Sequence, residues 1–279
     1  MDCIITPELR RTSEIPYHSD AAPGQRFIFV GRELHPQCRL YIVGRRVKDV
    51  PADQPEWLDD HRHNCPTFYV LIGEDRDLAG LAAEVVIGGM TFLAEAPAAV
   101  MIPPATLHHY RLFKGSGWSF HVNVRPDYVE SLLPEGAGGA PGGGPPRLDE
   151  VYRKAERDSR MVRTWEREDG SLDRDGGAAA PVLWKFISPQ DFRDPGLRLH
   201  VHQISEKQHT GYREPIHQHA NDEVYILFPN DDTVLDLTLT SDGQTLPVRS
   251  PLTAYHWPGV AHGYQHVRGD GLIMKVLKL

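Results

Sequence analysis

Two histidines and a glutamate in the stretch 215–228 have the types and spacing best suited to chemistry in this chain. On an extended strand, successive side chains point to opposite faces, so His217, His219 and Glu223 can face one cavity. A fourth candidate, His262, follows after further strand-like segments. Because imidazole nitrogens and carboxylate oxygens are typical ligands of first-row divalent metals, these four residues predict a metal site.

The N-terminal half carries similar residues in the same order. At a shift of 156 residues, the segment 61–71 falls on 217–227, and at a shift of 154, His108 falls on His262. The shift of 154 aligns further pairs of the same residue type, namely Pro97 with Pro251, Pro104 with Pro258, Tyr110 with Tyr264, Gly115 with Gly269 and Gly117 with Gly271. Matches at chemically special positions in one order indicate an internal duplication.

The N-terminal candidates, His61, His63 and His108, lack a carboxylate because Thr67 stands at the position of Glu223. Three neutral imidazoles would leave the charge of a divalent ion uncompensated. Such a site favours an anionic substrate, or a tetrahedral zinc with one open position. The alternative is a half that has lost its metal and serves as a scaffold. We expect metal in this half as well, with the scaffold interpretation left open.

Short apolar runs separated by Gly, Pro and Asp predict the elements that position these residues. The runs fill about 26–130 and resume at Val182, which indicates an all-β barrel or sandwich in each half. Between the halves, 135–146 is rich in Gly and Pro and predicts a flexible linker. The charged segment 148–168 predicts a connecting helix packed on a barrel, or alternatively a helix that binds a partner.

Three domains follow from these boundaries. Residues 1–134 form an N-terminal barrel preceded by an arm, 135–181 form the linker and helix, and 182–279 form a C-terminal barrel.

Composition and charge exclude several classes of partner. The 279 residues are 40% hydrophobic and 24% charged, without an apolar run long enough to span a membrane. A formal charge of −8, with both signs interspersed, argues against nucleic acid or an anionic membrane as partner. The three cysteines form no CxxC, and the N-terminus lacks the pattern of a secretory signal. A cytoplasmic protein with reduced thiols is expected.

The chain resembles the cupin superfamily in its two-barrel, or bicupin, form. His217, His219 and Glu223 match the first cupin motif, and Gly259 and His262 match the second, although Trp257 replaces its proline. In the N-terminal half, the matching residues are His61, His63, Pro103 and His108, while Thr67 and Ala105 depart from the motifs. The resemblance covers about 26–130 and 182–279 and implies an antiparallel β-barrel (double-stranded β-helix) in each half, with a single metal ion inside.

We also expect Tyr225 and Tyr264 to line the C-terminal cavity, because they share strand faces with the histidines; their phenols are our candidate catalytic groups. The other histidines that share a strand face, His121, His200 and His202, could line the same cavity or lie on the outside, and we expect them to point to solvent.

The first functional hypothesis is a metal-dependent bicupin enzyme, an Fe(II)-type oxygenase (dioxygenase) acting on a small polar organic molecule. Iron is the first choice of metal, with Zn, Mn, Ni and Co as alternatives. The oxygenase assignment rests on the resemblance alone. The second hypothesis is a redox-inactive Zn or Ni enzyme, such as an isomerase, a lyase or a condensing enzyme, and the third is a non-catalytic bicupin for ligand binding or storage. A homodimer is a further expectation, since two-barrel cupins often assemble through sheet edges.

Overall fold

The computed structural model describes residues 4–51, 53, 58–134, 145–158, 165–166, 172–173, 180–229 and 233–279. The chain divides into two compact units. The N-terminal unit contains Pro7–Ala155 and Phe186–Gly196, and the C-terminal unit contains Met1–Thr6, Glu156–Lys185 and Leu197–Leu279. Strands make up most of the regular structure described in both units, so the all-β prediction is confirmed.

The first strands of the chain are β1 (Ile4–Ile5), β2 (Glu8–Arg10), β3 (Gln25–Val30), β4 (Tyr41–Val50), β5 (Thr67–Gly73), β6 (Leu81–Ile87), β7 (Met90–Glu95), β8 (Ala98–Ile102), β9 (His108–Asn123) and β10 (Tyr152–Lys154). The helical turns in this part are a 3-10 turn (Thr12–Glu14), α1 (Tyr128–Ser131) and α2 (Leu148–Val151).

The later strands are β11 (Glu156–Asp158), β12 (Trp165–Glu166), β13 (Leu172–Asp173), β14 (Val182–Ile187), β15 (Leu197–Ile204), β16 (Glu223–Phe228), β17 (Asp236–Ser241), β18 (Gln244–Arg249), β19 (Leu252–His256), β20 (His262–Arg268) and β21 (Gly271–Lys278), with α3 at Glu206–His209.

The strand pairs whose registers are described are all antiparallel. In the N-terminal unit, one sheet runs in the order β10-β8-β5-β9-β4-β3-β2, and β6 joins it by pairing with β7 and β9. In the C-terminal unit, a sheet in the order β1-β19-β16-β21-β15-β14-β11 accompanies a smaller one in the order β18-β17-β20. The first strand of the chain therefore supplies an edge to the C-terminal sheet.

The strand registers repeat between the units. Thr67 pairs with Ile102 across β5 and β8, and Glu223 pairs with His256 across β16 and β19, which are the same positions under the sequence shifts. The long strand β9 corresponds to β20 and β21 in succession, since it pairs first with β6 and then with β4 and β5. The duplication read from the sequence is therefore visible in the pairing of the strands.

Each unit has an apolar interior made by the strand faces that the sequence pattern predicts. In the N-terminal unit, buried side chains from β5, β6, β8 and β9 pack in one cluster with Val151 of α2. In the C-terminal unit, β16, β17, β19, β20 and β21 contribute a similar cluster. Burial of these apolar side chains is the main force that holds the histidine-bearing strands in place.

The predicted helix over 148–168 is wrong in extent, because α2 ends at Val151 and strands follow it. Tyr152 pairs with Val100 of β8, and Arg157 pairs with Trp184 of β14. An open sheet edge offers backbone hydrogen bonds that override a local helical preference. The rest of that segment, 159–164 and 167–168, and the linker residues 135–144 lie outside the described residues. No helix in the described part of the chain is long and apolar enough to cross a membrane.

Candidate metal centres

The four predicted ligands of the C-terminal unit converge on one point. Glu223 begins β16, and His217 lies opposite His262 in a short antiparallel bridge, with backbone hydrogen bonds of 3.0 and 2.8 Å. One carboxylate oxygen, Oε2 of Glu223, lies 2.6 Å from Nε2 of His262, 3.2 Å from that of His219 and 3.5 Å from that of His217.

These distances fit a metal ion. Ligand atoms that each lie about 2.1 Å from one ion, in directions at right angles, are about 3 Å apart. The four ligand atoms all lie within 4.8 Å of one another, and Glu223 and His262 are buried. The donor set of three imidazoles and one carboxylate suits Fe, Mn, Ni, Co and Zn.

Backbone carbonyls fix the proton on two of these imidazoles. Nδ1 of His217 donates to the carbonyl of Pro215 at 2.9 Å, and Nδ1 of His262 donates to that of Val260 at 2.8 Å. Because a carbonyl oxygen can only accept, Nδ1 must carry the proton in each neutral ring. Nε2 is then left with the lone pair that binds a metal.

Charge in the C-terminal cluster favours the ionised carboxylate. Burial by itself would raise the pKa of Glu223, but Lys275 and the hydrogen bonds from the three histidines outweigh it and hold the pKa well below its usual range. Burial would likewise lower the pKa of His217, and the hydrogen bond to Glu223 reverses this and raises it. A negative charge is therefore kept where a cation would bind.

A buried network that the sequence did not predict lies beside this cluster. The Tyr225 hydroxyl lies 3.4 Å from Nε2 of His217 and donates to Glu214 at 2.9 Å. The Lys275 ammonium donates to the Tyr225 oxygen at 2.8 Å and also bonds Glu214. Glu214 is 1% exposed and Lys275 8% exposed, so this is a buried ion pair. A single lysine in the apolar run 272–277 was the signal in the sequence.

The two predicted tyrosines occupy different positions. Tyr225 contacts His262, with ring centroids 5.4 Å apart, and reaches the cluster through its hydroxyl. Tyr264 lies deeper in the unit, 6.3 Å from the ring of Tyr225, and its hydroxyl is hydrogen-bonded to Nδ1 of His202 at 2.9 Å. His202 is 5% exposed, so the expectation that it points to solvent is wrong.

One further histidine adjoins the C-terminal ligands. The His256 ring stacks on His262 with centroids 4.0 Å apart, and His256 pairs with Glu223 across the sheet. Its Nε2 is buried and has no hydrogen-bond partner among the described residues. His256 therefore lies against the cluster and is not one of its four ligands.

The three histidines of the N-terminal unit also converge. His61, His63 and His108 are all buried, and their ligand atoms lie within 4.8 Å of one another. Nδ1 of His61 donates to the carbonyl of Asp59, and Nδ1 of His108 to that of Thr106, both at 2.9 Å. These repeat the hydrogen bonds of His217 and His262 to the carbonyl two residues earlier.

The remaining ring of this trio is oriented by a serine. Ser131 donates its hydroxyl proton to the carbonyl of Tyr128 at 2.6 Å and accepts from the Asn123 amide at 2.9 Å. Its oxygen can therefore only accept from Nδ1 of His63, which lies 2.8 Å away. Each of the three Nε2 atoms then carries a lone pair and no proton. None of them has a hydrogen-bond partner in the described part of the chain.

These orphaned nitrogens are the feature of the N-terminal unit that fits a metal. A buried polar atom without a partner costs free energy, which a bound ion would remove. Burial lowers the pKa of His61 to about 4 and holds the pKa of His63 and His108 well below its usual range. The rings are thus neutral at pH 7, as metal ligands must be.

Two residues beside the trio were not predicted from the sequence. The His121 ring lies 5.4 Å from that of His63, and its Nε2 is buried, so the expectation that it points to solvent is wrong. Tyr128 lies 5.0 Å from His63. His121 pairs with Tyr69 as Lys275 pairs with Tyr225, so the two units place different groups at one repeated position. His200, the third histidine expected in solvent, is partly buried, and burial lowers its pKa to about 4.

Comparisons with known proteins concern the fold. The sequence matches no described protein family and no curated protein. The structure is similar to that of AerE from Microcystis aeruginosa, at 12% identity and a TM-score of 0.59, with 100% of each chain covered. It is also similar to an oxalate decarboxylase of Lactobacillus farciminis bound to formate, at 14% identity and a TM-score of 0.59, covering 100% of this chain and 86% of that one.

A mutant oxalate decarboxylase of Bacillus subtilis is a further structural neighbour, at 12% identity and a TM-score of 0.59, covering 98% of this chain and 75% of that one. At such identities the likeness shows a shared fold and no more. The chain has the cupin fold. The fold found in the structure is therefore the one that the sequence motifs led us to expect, and the histidines of those motifs converge in it.

Proposed function

We propose that this chain is a metal-dependent enzyme acting on a small polar organic molecule. One observation carries the proposal, which is the convergence of His217, His219, Glu223 and His262 on a single point. Hydrogen bonds from Nδ1 to backbone carbonyls orient two of these rings, which is the arrangement that metal-binding histidines require.

The residues of the C-terminal unit would have distinct roles in catalysis. A divalent ion held by the four ligands would supply Lewis acidity and open positions for substrate. Glu223 offsets part of the ion's charge, and a bound ion would replace the protons through which the imidazole Nε2 atoms contact Glu223. Tyr225, next to His217 and hydrogen-bonded to Lys275 and Glu214, is the group placed to donate or hold a proton beside a bound substrate.

The first reaction class that we propose is an Fe(II)-type oxygenase, since the nitrogen and carboxylate donor set suits iron. The second is a redox-inactive enzyme, such as a lyase. The structural likeness to oxalate decarboxylases favours this second class, and one of those structures is described for its Mn(II) centres. The buried Lys275 and Glu214 beside Tyr225 would also suit a reaction that moves protons without electrons.

Turnover with and without oxygen separates these two classes. The metal-free chain would be loaded separately with Fe(II), Mn(II) and Zn(II) and incubated with a panel of small polar metabolites, with products followed by mass spectrometry. An oxygenase forms product only with Fe(II) and only in the presence of O2. Product that forms at the same rate without O2 would instead identify the non-redox class. If no metal supports turnover beyond that of His262→Ala, the enzyme proposal is wrong.

A further inference from the structure

The two histidine clusters differ in their exposure to solvent. In the N-terminal unit all three ligands are buried, with relative exposures of 0–4%. In the C-terminal unit, the side chains of His217 and His219 are 31% and 33% exposed, although Glu223 and His262 are buried. An ion at the C-terminal cluster is therefore within reach of solvent, whereas an ion at the three-histidine cluster would be enclosed by protein.

The segment that follows β9 covers the three-histidine cluster from one side. Two backbone hydrogen bonds, of 2.7 and 2.9 Å, tie 131–133 to 62–64. The buried Tyr128 ring lies 5.0 Å from the ring of His63 and 6.2 Å from that of His61. This cover is therefore fastened to the same stretch of chain that carries one of the ligands.

A second segment, Tyr17 and His18, covers the cluster beside His61. The amide of Asp59 donates to the carbonyl of Tyr17 at 2.8 Å, and the Tyr17 ring is stacked on His61 with centroids 5.7 Å apart. The His18 ring lies 5.8 Å from that of His61 and 5.6 Å from that of Tyr128. The two covering segments thus meet over the cluster.

The space beside this cluster is small. A cavity whose lining includes His18, His121 and Tyr128 has a volume of about 20 Å³, which is room for roughly one water molecule. Those three rings lie 5.0–5.8 Å from rings of the cluster. A water-sized ligand fits there beside a bound ion, whereas an organic substrate does not.

The clusters also differ in the partners that the protein itself gives to the ligand atoms. In the N-terminal unit, the three Nε2 atoms are buried and have no hydrogen-bond partner among the described residues. In the C-terminal unit, Oε2 of Glu223 lies 2.6–3.5 Å from all three Nε2 atoms. Because an unsatisfied buried polar atom destabilises a fold, a bound ion contributes more to the stability of the N-terminal unit.

We propose that the three-histidine cluster is an enclosed metal centre that stabilises the N-terminal unit and excludes substrate, so that only the C-terminal cluster presents its ion to substrate. The inference rests on the proposed function and assigns turnover to one of the two centres. Release of an enclosed ion requires the covering segments to open, and local opening is rare in a packed region. An ion within reach of solvent leaves without that step.

Transfer of Co(II) to excess EDTA tests this on the full chain loaded at both clusters. Bound metal is measured by elemental analysis of samples desalted at successive times. We expect two phases of equal amplitude, the slow one at least about tenfold slower because opening must precede release. His262→Ala should lose the fast phase and His108→Ala the slow one. A single phase in the wild-type chain, or loss of the fast phase in His108→Ala, overturns the proposal.

Variants of the cover test its role in retaining the ion. Tyr128→Ala removes a ring from the cover and should speed the slow phase about tenfold or more, with the fast phase within about twofold. Tyr128→Phe keeps the ring and removes a hydroxyl without a hydrogen-bond partner among the described residues, so the slow phase should persist. Val129→Ala, at an exposed position of the same turn, is a second control. A slow phase that Tyr128→Ala leaves unchanged overturns the proposal.

Turnover after brief chelation separates this inference from the proposed function. A chain that retains only the slow ion should form no product, and product that survives loss of the fast ion overturns the inference. Two release phases without turnover in any metal-loaded form would remove the proposed function and leave the enclosed centre standing. Turnover in a chain whose two ions leave in one phase would do the reverse.

Discussion

Four of the seven candidate ligands share one hydrogen bond between the ring and the backbone. His61, His108, His217 and His262 each donate Nδ1–H to the carbonyl of the residue two positions earlier, at 2.8–2.9 Å. This hydrogen bond needs only an extended backbone before each histidine. It fixes the tautomer and aims Nε2 into the barrel, so that coordination requires no rearrangement of the rings.

The buried pair of Lys275 and Glu214 gives a prediction at the same scale. Lys275→Met leaves Glu214 buried without its cation, and we expect the free energy of unfolding to fall by about 3–5 kcal/mol. Adding Glu214→Gln should recover part of the loss, because the uncompensated charge is then gone. Urea unfolding of the metal-free chain measures both.

The control is Lys185→Met, because the Lys185 side chain, which pairs with Asp158 in the same unit, is 42% exposed, and its loss should cost about 1 kcal/mol. If Lys275→Met lowered the free energy of unfolding no more than Lys185→Met, the buried network would not contribute to stability.

Sequence patterns predicted the ligands better than their surroundings. Alternation along a strand placed His217, His219 and Glu223 on one face, because side-chain parity is a local property. The buried positions of His121 and His202 were not predicted, since whether a strand face meets a cavity or solvent depends on which sheet covers it. Glu214 lies in a loop, where no periodicity indicates the direction of a side chain.

At the scale of elements, a glycine lies where the strand pairing changes partners in each unit. Gly115 in β9 and Gly269 before β21 have φ of 95° and 85°, and a Cβ there would lie 1.6 Å from the carbonyl oxygen of Gly80 and 1.8 Å from that of Val234. In each unit the pairing partner of the strand changes at this point.

Gly269→Ala should therefore destabilise the C-terminal unit by about 3 kcal/mol, from the left-handed backbone conformation and the clash combined. Gly243→Ala is the matched control in the same unit, with φ of 71° and open space around the site, and should cost about 1 kcal/mol. Thermal unfolding of the two variants decides between them. Equal losses would show that close approach of the backbone at Gly269 does not matter.

The strands and their order were predictable, whereas the segment between the halves was not. Short apolar runs bounded by turn residues mark strands locally. Tyr152–Lys154 and Glu156–Asp158 form strands because they pair with the open edges of β8 and β14, and no window of local sequence shows those edges. A charged, helix-prone composition was outweighed by backbone pairing with those distant strands.

At the scale of the whole molecule, the duplication has produced two units that keep the histidines and differ in charge. The C-terminal unit retains a carboxylate at Glu223, and the N-terminal unit has Thr67 there with Arg26 and Arg45 buried in its lining. The two clusters therefore offer different donor sets, three imidazoles and a carboxylate in one unit and three imidazoles in the other.

The most direct test is the metal content of the purified full chain from metal-supplemented cells, by elemental analysis. We predict about two transition-metal ions per chain, one for each cluster, falling to about one in His262→Ala and about one in His108→Ala. His35→Ala, which alters a histidine outside both clusters, should retain both ions. A wild-type chain without stoichiometric metal, or one whose content is unchanged by both cluster variants, would contradict the account.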